Sequence, residues 1–190
     1  MTHFYQLHSP ADDLTKPLYI QFLTTGGSID KTYAPGSSTF EIVDPALHAF
    51  LKQSLVAFKY DVTVLMKKDS LDLTDEDRSQ IRRAVEGSGA SRIVITHGTD
   101  TLVETGLCLH GIASKTIVLT GAFQPLRLVA SDAMLNLGMA VGAVQLLPPG
   151  VYAAINGRVL PVERIEKVRS KQQFRVRTVG NGADVEHVTH

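Results

Sequence analysis

The sequence predicts an α/β fold with three layers, in which an open, mostly parallel sheet carries helices on both faces. Short segments of apolar, β-branched residues alternate along the chain with longer segments of helical spacing. The apolar segments are continuous rather than alternating with polar residues, which is typical of strands covered on both faces. Short connections between the segments favour βαβ units and therefore a parallel sheet.

Five segments have the composition of buried strands, and they are 18–25, 61–66, 92–98, 116–121 and 150–157. Four segments between or beside them have helical spacing, and they are 44–58, 74–89, 100–113 and 131–147. In the first helical segment Asp44 is the predicted N-cap and Pro45 occupies the first helical position. In the second, Thr74 precedes a first turn rich in acidic residues, and the segment ends at glycine.

The domain organisation follows from length and composition. A chain of 190 residues can bury a substantial core as one domain. Residues 1–17 have no regular period and contain Pro10 and Pro17, so we predict a loose N-terminal arm. Residues 18–190 are predicted to form a single domain.

The charge balance limits the possible partners. Lysine plus arginine and aspartate plus glutamate number 19 each, so the formal net charge is zero. This balance favours a small neutral or zwitterionic ligand over nucleic acid or an anionic membrane. The apolar segment 130–148 is interrupted by polar residues and is predicted to be a buried helix rather than a membrane span.

The location and cofactors can be predicted from the same composition. Cys108 is the single cysteine, so no intramolecular disulfide can form. The N-terminus lacks a basic start followed by an apolar run, so no secretory signal is predicted and the cytoplasm is the expected location. The seven histidines lack a recognised metal-ligand spacing, and neither a metal nor an organic cofactor is predicted.

Ligands of open parallel sheets bind beyond the carboxyl ends of the strands, where the loops begin. Polar and glycine residues cluster in the four loops at that edge, which are 24–28, 68–74, 96–101 and 120–125. The first loop, TTGGS, lacks the glycine spacing of dinucleotide or phosphate loops. It is either an ordinary turn in which glycine supplies positive φ, or a loop that presents a nucleophilic hydroxyl beside free backbone N–H groups.

The third loop lies in the segment ITHGTDT. Thr99 and Asp100 stand where helix N-caps belong, and capping alone would explain them. The alternative is a ligand site in which Asp100 pairs with an amine. His97 is predicted to be a loop or core residue, Asp69 and Ser70 are ordinary turn formers when taken alone, and the basic stretch 158–177 is predicted to be a solvated face.

Four motifs, TTGGSI, ITHGTDTLVET, VLTGAFQP and SDAMLNLGMAV, follow one another in this order. Together they resemble the bacterial-type L-asparaginase and glutaminase family, whose signatures are a T-G-G-T-I loop after the first strand and an H-G-T-D-T segment. The resemblance covers about residues 18–175 and corresponds to the family's N-terminal domain. It implies a three-layer fold of the flavodoxin-like kind.

The resemblance also implies catalytic roles. Ser28 occupies the position of the family's first nucleophile, with serine in place of threonine, so the hydroxyl is kept and the β-methyl is lost. Thr99 and Asp100 match the second threonine and its acidic neighbour, and Lys167 matches their partner lysine, which can take a proton from a hydroxyl. Tyr33, the only tyrosine in the loop after Ser28, is assigned as the family's mobile tyrosine.

A second set of positions is implied to contact the substrate, and it comprises Gly27, Ser70, Leu71, Gly98 and Asp100. Ser70 matches the serine that holds the substrate carboxylate. Leu71 departs from the family, which usually has a polar residue there to help hold the substrate amine. Amine recognition is therefore expected to rest mainly on Asp100.

The expected function is that of an amidohydrolase. Ser28 would attack a side-chain amide, and ammonia would leave. We expect a single domain without the family's C-terminal domain, which supplies an acidic group to a neighbouring subunit, and a homo-oligomer, either a dimer or a tetramer. Two alternatives stay open, a non-catalytic amino-acid sensor and a subunit of a multi-chain amidase or amidotransferase.

Overall fold

The structure is a computed structural model that describes residues 17–177. Within that range the strands are, in chain order, β1 (Tyr19–Gly26), β2 (Lys31–Ala34), β3 (Thr39–Ile42), β4 (Lys59–Lys68), β5 (Arg92–Thr96), β6 (Thr116–Thr120), β7 (Gly150–Ile155), β8 (Arg158–Pro161), β9 (Ile165–Val168) and β10 (Gln173–Val176). The α-helices are α1 (Leu47–Gln53), α2 (Asp75–Gly87), α3 (Leu102–Cys108) and α4 (Ala133–Leu146). The predicted N-terminal arm lies outside the described residues, except for Pro17.

The central sheet has six strands in the order β4-β1-β5-β6-β7-β8. The first five strands run parallel, and β8 returns antiparallel to β7 through a short turn at the edge. Among the parallel strands the chain order is 2-1-3-4-5, which is the flavodoxin-like arrangement. The predicted mostly parallel α/β sheet is therefore confirmed, and all five predicted strands are present.

The core has two halves, one on each face of the sheet. Alternate residues of a strand point to opposite faces, so Ile93 and Ile95 of β5 join one half and Val94 joins the other. The first half is covered by α2 and α3, and the second by α1 and α4, as the buried residues of those helices show. Burial on both faces explains the continuous apolar character of the inner strands β5 and β6, whereas the edge strand β4 is exposed or only partly buried, so its predicted burial is wrong.

Two helices are shorter than the sequence predicts. The predicted helix 44–58 is observed only as Leu47–Gln53, and Asp44 is not its N-cap. Asp44 instead forms an ion pair with Lys67 at 2.5 Å, and its carbonyl accepts a hydrogen bond from Arg127 Nη2 at 2.6 Å. The predicted helix 100–113 is observed as Leu102–Cys108, since the chain turns through Gly111, whose φ is +83°.

Small β elements that the sequence does not reveal surround the sheet edge. The strands β2 and β3 form a hairpin shortly after Ser28, and β9 and β10 form a second antiparallel pair. The second pair occupies part of the basic stretch for which the sequence predicts a solvated face. It brings Lys167, in β9, towards the carboxyl ends of the parallel strands.

Candidate active site

The site lies where the sheet changes its direction of winding. After β1 the chain leads to α1 on one face, and after the neighbouring β5 it leads to α3 on the other. The two loops that follow these strands diverge and leave a crevice at the carboxyl edge, where open α/β sheets bind ligands. The loop after β1 contains Ser28, and the loop after β5 contains Thr99 and Asp100.

The loop after β1 has a backbone that only glycine accommodates easily. Gly26 and Gly27 have φ values of +102° and +85°. A Cβ on Gly27 would lie 2.4 Å from Gly98 Cα, so the two loops touch through their glycines. At the end of β1 the register shifts by a bulge, and Thr25 Oγ1 donates a hydrogen bond to Thr96 O at 3.0 Å. Both strand ends are thereby held at a fixed distance.

Ser28 follows these glycines and opens a short 3-10 turn, Ser28–Asp30. It is partly exposed, and its hydroxyl forms no hydrogen bond with another of the residues that the structure describes. The N-cap Gly27 contributes no side chain to the turn. The Ser28 hydroxyl is therefore free to meet a ligand.

The loop after β5 holds a bonded group of three side chains. Lys167 Nζ donates to Thr99 Oγ1 at 2.7 Å and to Asp100 Oδ1 at 2.8 Å. Thr99 is buried, and the side chain of Lys167 is only 10% exposed. Lys167 Nζ also lies 5.2 Å from the centroid of the Phe123 ring. Neither Thr99 nor Asp100 caps α3, because the N-cap position belongs to Thr101.

Ser70, in the turn after β4, supports the loop after β5 although β1 lies between these two strands. Its hydroxyl accepts a hydrogen bond from Asp100 N at 3.2 Å, and its carbonyl accepts one from Thr101 Oγ1 at 2.6 Å. Gly98 packs against it, since a Cβ there would lie 2.6 Å from Ser70 Oγ. Ser70 is 1% exposed, so in this structure it is part of the floor beneath the loop.

Leu71 and Tyr33 lie apart from this bonded group. Leu71 is 60% exposed in the 3-10 turn that follows β4. Tyr33 lies in β2, is half exposed, and packs its ring edge-on against Phe40 at a centroid distance of 5.8 Å. The structure brings Gly27, Ser70, Gly98, Thr99, Asp100 and Lys167 together through the contacts above. The site roles of these residues, like those of Ser28, Tyr33 and Leu71, stay predictions.

Sequence reasoning missed the residues that shape the fourth loop. Asp132, at the start of α4, accepts hydrogen bonds from the backbone N–H groups of Phe123 and Gln124, at 3.0–3.1 Å. Asn136 Nδ2 donates to Gly121 O and to Asp132, both at 3.0 Å. These bonds fix the loop that carries Phe123 beside Lys167. The motif SDAMLN contains both residues, but their spacing of four indicated only one helical turn.

Two buried titratable groups flank the loops. Burial lowers the pKa of His97 to about 4, so its ring is neutral at neutral pH. Its Nδ1–H donates to Gly98 O at 2.7 Å, and Nε2 accepts from Thr105 Oγ1 at 2.9 Å, which makes His97 a core residue. Burial raises the pKa of Asp30 to about 7, against the opposing charge of Arg127 and a hydrogen bond from the Ala46 backbone.

In the part of the chain that the structure describes, no cluster of three or more histidine, cysteine or acidic side chains could hold a metal ion. Across the same residues, no helix has the length and apolar character that crossing a membrane requires.

Comparison with known proteins gives a consistent result. A family model described as "Asparaginase, N-terminal" matches residues 19–188. An L-asparaginase of Thermococcus kodakarensis is 35% identical over 120 residues, which are 59% of this chain and 36% of that protein. The solved structure of the thermostable L-asparaginase from the same organism has a TM-score of 0.73 and 26% identity, and the match covers 89% of this chain and 54% of that one.

A second kind of relative is a subunit of the glutamyl-tRNA(Gln) amidotransferase of Methanococcus vannielii. It is 30% identical over 153 residues, which are 74% of this chain and 34% of that protein. The chain thus spans less than half the length of these curated relatives.

Proposed function

Because the chain belongs to the asparaginase family, whose N-terminal domain matches it, we propose that it is an amidohydrolase. In this proposal it releases ammonia from the side-chain amide of L-asparagine or a related small amide. The observation that carries the proposal is the contact of Lys167 Nζ with both Thr99 Oγ1 and Asp100 Oδ1, at the sheet edge where Ser28 also lies. A hydroxyl, an amine and a carboxylate in hydrogen-bond contact are typical of sites for nucleophilic catalysis.

The first half of the proposed reaction uses the loop after β1. Ser28 Oγ attacks the amide carbon, and a C–O bond forms while the carbonyl oxygen becomes an oxyanion. Backbone N–H groups of the glycine loop, together with Thr99, stabilise that charge. The C–N bond then breaks, the proton from the Ser28 hydroxyl leaves with the nitrogen as ammonia, and an acyl ester remains on Ser28.

The second half uses the bonded group of the loop after β5. Water adds to the ester carbon, the bond to Ser28 Oγ breaks, and one water proton restores the serine hydroxyl while the acid leaves. Thr99, Lys167 and Asp100 would activate that water. Lys167 would relay the proton, and Asp100 would hold the Lys167 side-chain nitrogen in place. No metal or organic cofactor takes part in this scheme.

An ammonia-release assay across L-asparagine, L-glutamine and related small amides tests the proposal. Release should occur in the wild type and should be lost in Ser28→Ala and in Thr99→Ala. Two exposed hydroxyl residues outside the site provide matched controls, Ser79→Ala for the serine and Thr63→Ala for the threonine, and both should keep full activity. If the wild type releases no ammonia from any amide of the panel, the enzymatic proposal is wrong.

The second candidate is a subunit of a multi-chain amidotransferase. The resemblance to the amidotransferase subunit of Methanococcus vannielii favours it. In that case a partner polypeptide should copurify with the chain, and activity should require it.

Calorimetry tests the remaining alternative, a non-catalytic amino-acid sensor. Binding of asparagine, aspartate or glutamine without turnover, in the absence of a partner, would indicate that sensor.

Two further expectations from the sequence belong to the same proposal. We propose that the protein acts in the cytoplasm and as a homo-oligomer, either a dimer or a tetramer. The exposed free thiol of Cys108 is compatible with a reducing compartment. Light scattering of the purified protein measures the oligomeric state directly, and a monomeric mass at working concentration would contradict it.

A further inference from the structure

Two cations share the carboxylate of Asp100. Its Oδ1 lies 2.8 Å from Lys167 Nζ and 3.8 Å from Arg169 Nε. Lys167 is nearly buried, with 10% of its side chain exposed, whereas 65% of the Arg169 side chain is exposed. The charge that an arriving ligand meets first beside Asp100 is therefore the guanidinium of Arg169, at the start of the 3-10 turn after β9.

On the opposite side of the crevice, the carboxylate next to Ser70 is also paired with a cation. Asp69, next to Ser70, forms an ion pair with Lys31 at 2.9 Å, and both side chains are about 30% exposed. In the same turn Leu71 is 60% exposed and uncharged, and Asp72 beside it is exposed. The ion-paired side chains of the two walls are the cations Lys31, Lys167 and Arg169 and the anions Asp69 and Asp100.

This balance bears on the class of amide that the site accepts. A free amino acid such as asparagine presents an ammonium group, which needs a carboxylate as its partner. Asp69 already has a cationic partner, and an ammonium beside Asp100 would lie close to the guanidinium of Arg169 as well as to Lys167. A substrate carboxylate would instead find in Arg169 an exposed, planar donor of several hydrogen bonds.

We propose that Arg169 determines specificity, and that the site prefers amides which carry a carboxylate but no free α-ammonium group. Monoamides of dicarboxylic acids and N-acylated asparagine belong to this class. The inference rests on the proposed amidohydrolase function, since it names the substrate class of the same site. The proposed substrates differ from a free amino acid in one respect, because they lack the positive charge of the α-ammonium group.

The test compares kcat/KM for three amides that share the reacting group. Succinamate has the carboxylate alone, N-acetyl-L-asparagine has it with a blocked amine, and L-asparagine has both charges. We expect the wild type to favour the first two over L-asparagine by about tenfold, the effect of roughly one exposed charge contact. In Arg169→Gln the ratio of succinamate to L-asparagine should fall about tenfold.

Arg175→Gln is the matched control. Arg175 is also an exposed arginine that pairs with a carboxylate, Glu166, at 2.7 Å, and 64% of its side chain is exposed. The ratio between the substrates should not change in this variant. A wild-type preference for L-asparagine, or a ratio that stays the same in Arg169→Gln, would overturn the inference while leaving amidohydrolase activity established.

Direct binding separates this inference from the proposed function. If no amide is turned over, the proposed function fails, and calorimetry with succinamate and L-asparagine still measures the preference of the site. Tighter binding of succinamate to the wild type, weakened in Arg169→Gln, would support the role of Arg169. Equal binding of both ligands to both proteins would contradict it.

Discussion

The two loops at the carboxyl edge of the sheet differ in how far their side chains are held in place before a ligand arrives. In the loop after β5, Thr99 is buried and bonded to Lys167, which also holds Asp100. In the loop after β1, the Ser28 hydroxyl forms no hydrogen bond with another of the described residues. The side chains of the loop after β5 are therefore preorganised, whereas the hydroxyl of the loop after β1 is left available for a ligand.

The aspartates of the two loops repeat this difference. Asp100 is bonded to a lysine, whereas Asp30, two residues after Ser28, is buried with Oδ2 lacking a partner among the described residues. A buried carboxylate without an ion pair is costly in its charged form. The preorganised loop therefore has compensated charge, and the other loop carries a group that is sensitive to pH.

Removing the lysine should have the largest effect, because it breaks the preorganised loop. Lys167→Met keeps the aliphatic stem beside Phe123 and loses the two hydrogen bonds. We expect kcat to fall by about 10²–10⁴-fold with a smaller change in KM, the range for loss of a proton-transfer group. Lys171→Met, which removes an exposed cation four positions later, should keep its activity. A kcat in Lys167→Met within about threefold of the wild type would show that the contact is only structural.

A substitution at the point where the loops touch should come next. Gly27→Ala places a Cβ 2.4 Å from Gly98 Cα on a backbone with φ +85°. Strain of about 1–3 kcal/mol from the backbone angle adds to a similar amount from overpacking, so the free energy of unfolding should fall by about 4 kcal/mol. Urea unfolding measures this change.

Gly87→Ala is the control for that experiment, since a Cβ there meets nothing within 4 Å and φ is not positive. It should change the unfolding free energy by less than about 1 kcal/mol. If Gly27→Ala were as stable as this control, the two loops would not be in the tight contact described above.

The third effect is spread over a range of pH rather than present at every pH. The pKa of Asp30 is raised from 3.8 to about 7, so between these values the folded protein holds a proton that the unfolded chain has released. The contribution of protonated Asp30 to the free energy of unfolding is fully present below about pH 4 and is lost as the pH rises through about 7. It amounts to a few kcal/mol, on the order of 1.4 kcal/mol for each unit of the pKa shift. His97, whose pKa is lowered from 6.5 to about 4, contributes an opposite rise over that window, so Asp30 is isolated by the difference between Asp30→Asn and the wild type. That difference should move in favour of Asp30→Asn as the pH rises, and the variant should be the more stable of the two at about pH 8.

Urea unfolding at about pH 4.5, 6 and 8 measures that profile. Asp72→Asn, at an exposed aspartate, should leave the profile of the wild type unchanged. A wild type whose unfolding free energy rises steadily across this range, with Asp30→Asn following the same curve, would show that Asp30 is not a buried acid of raised pKa.

Local sequence signals predicted the secondary structure well where residues close together in the sequence determine the element. All five predicted strands appear, because a continuous β-branched run has few other stable arrangements, but β4 lies at the edge of the sheet and has no fully buried residue. Thr74 caps α2 as predicted, and it forms a capping box with Asp77. Asp44 failed as a cap because Lys67 and Arg127, distant in the sequence, bind it instead.

The sequence by itself therefore determined the parallel α/β architecture, the sheet edge that carries the polar loops, and the glycines that make the loop after β1 possible. Each of these follows from residues close together along the chain. Only the tertiary structure decided that Lys167 meets Thr99 and Asp100, which are 68 and 67 positions away, and that Arg169 lies beside the same carboxylate. A motif resemblance suggested the first contact, but periodicity could not, because the pairing of β9 with β10 carries those side chains to the site.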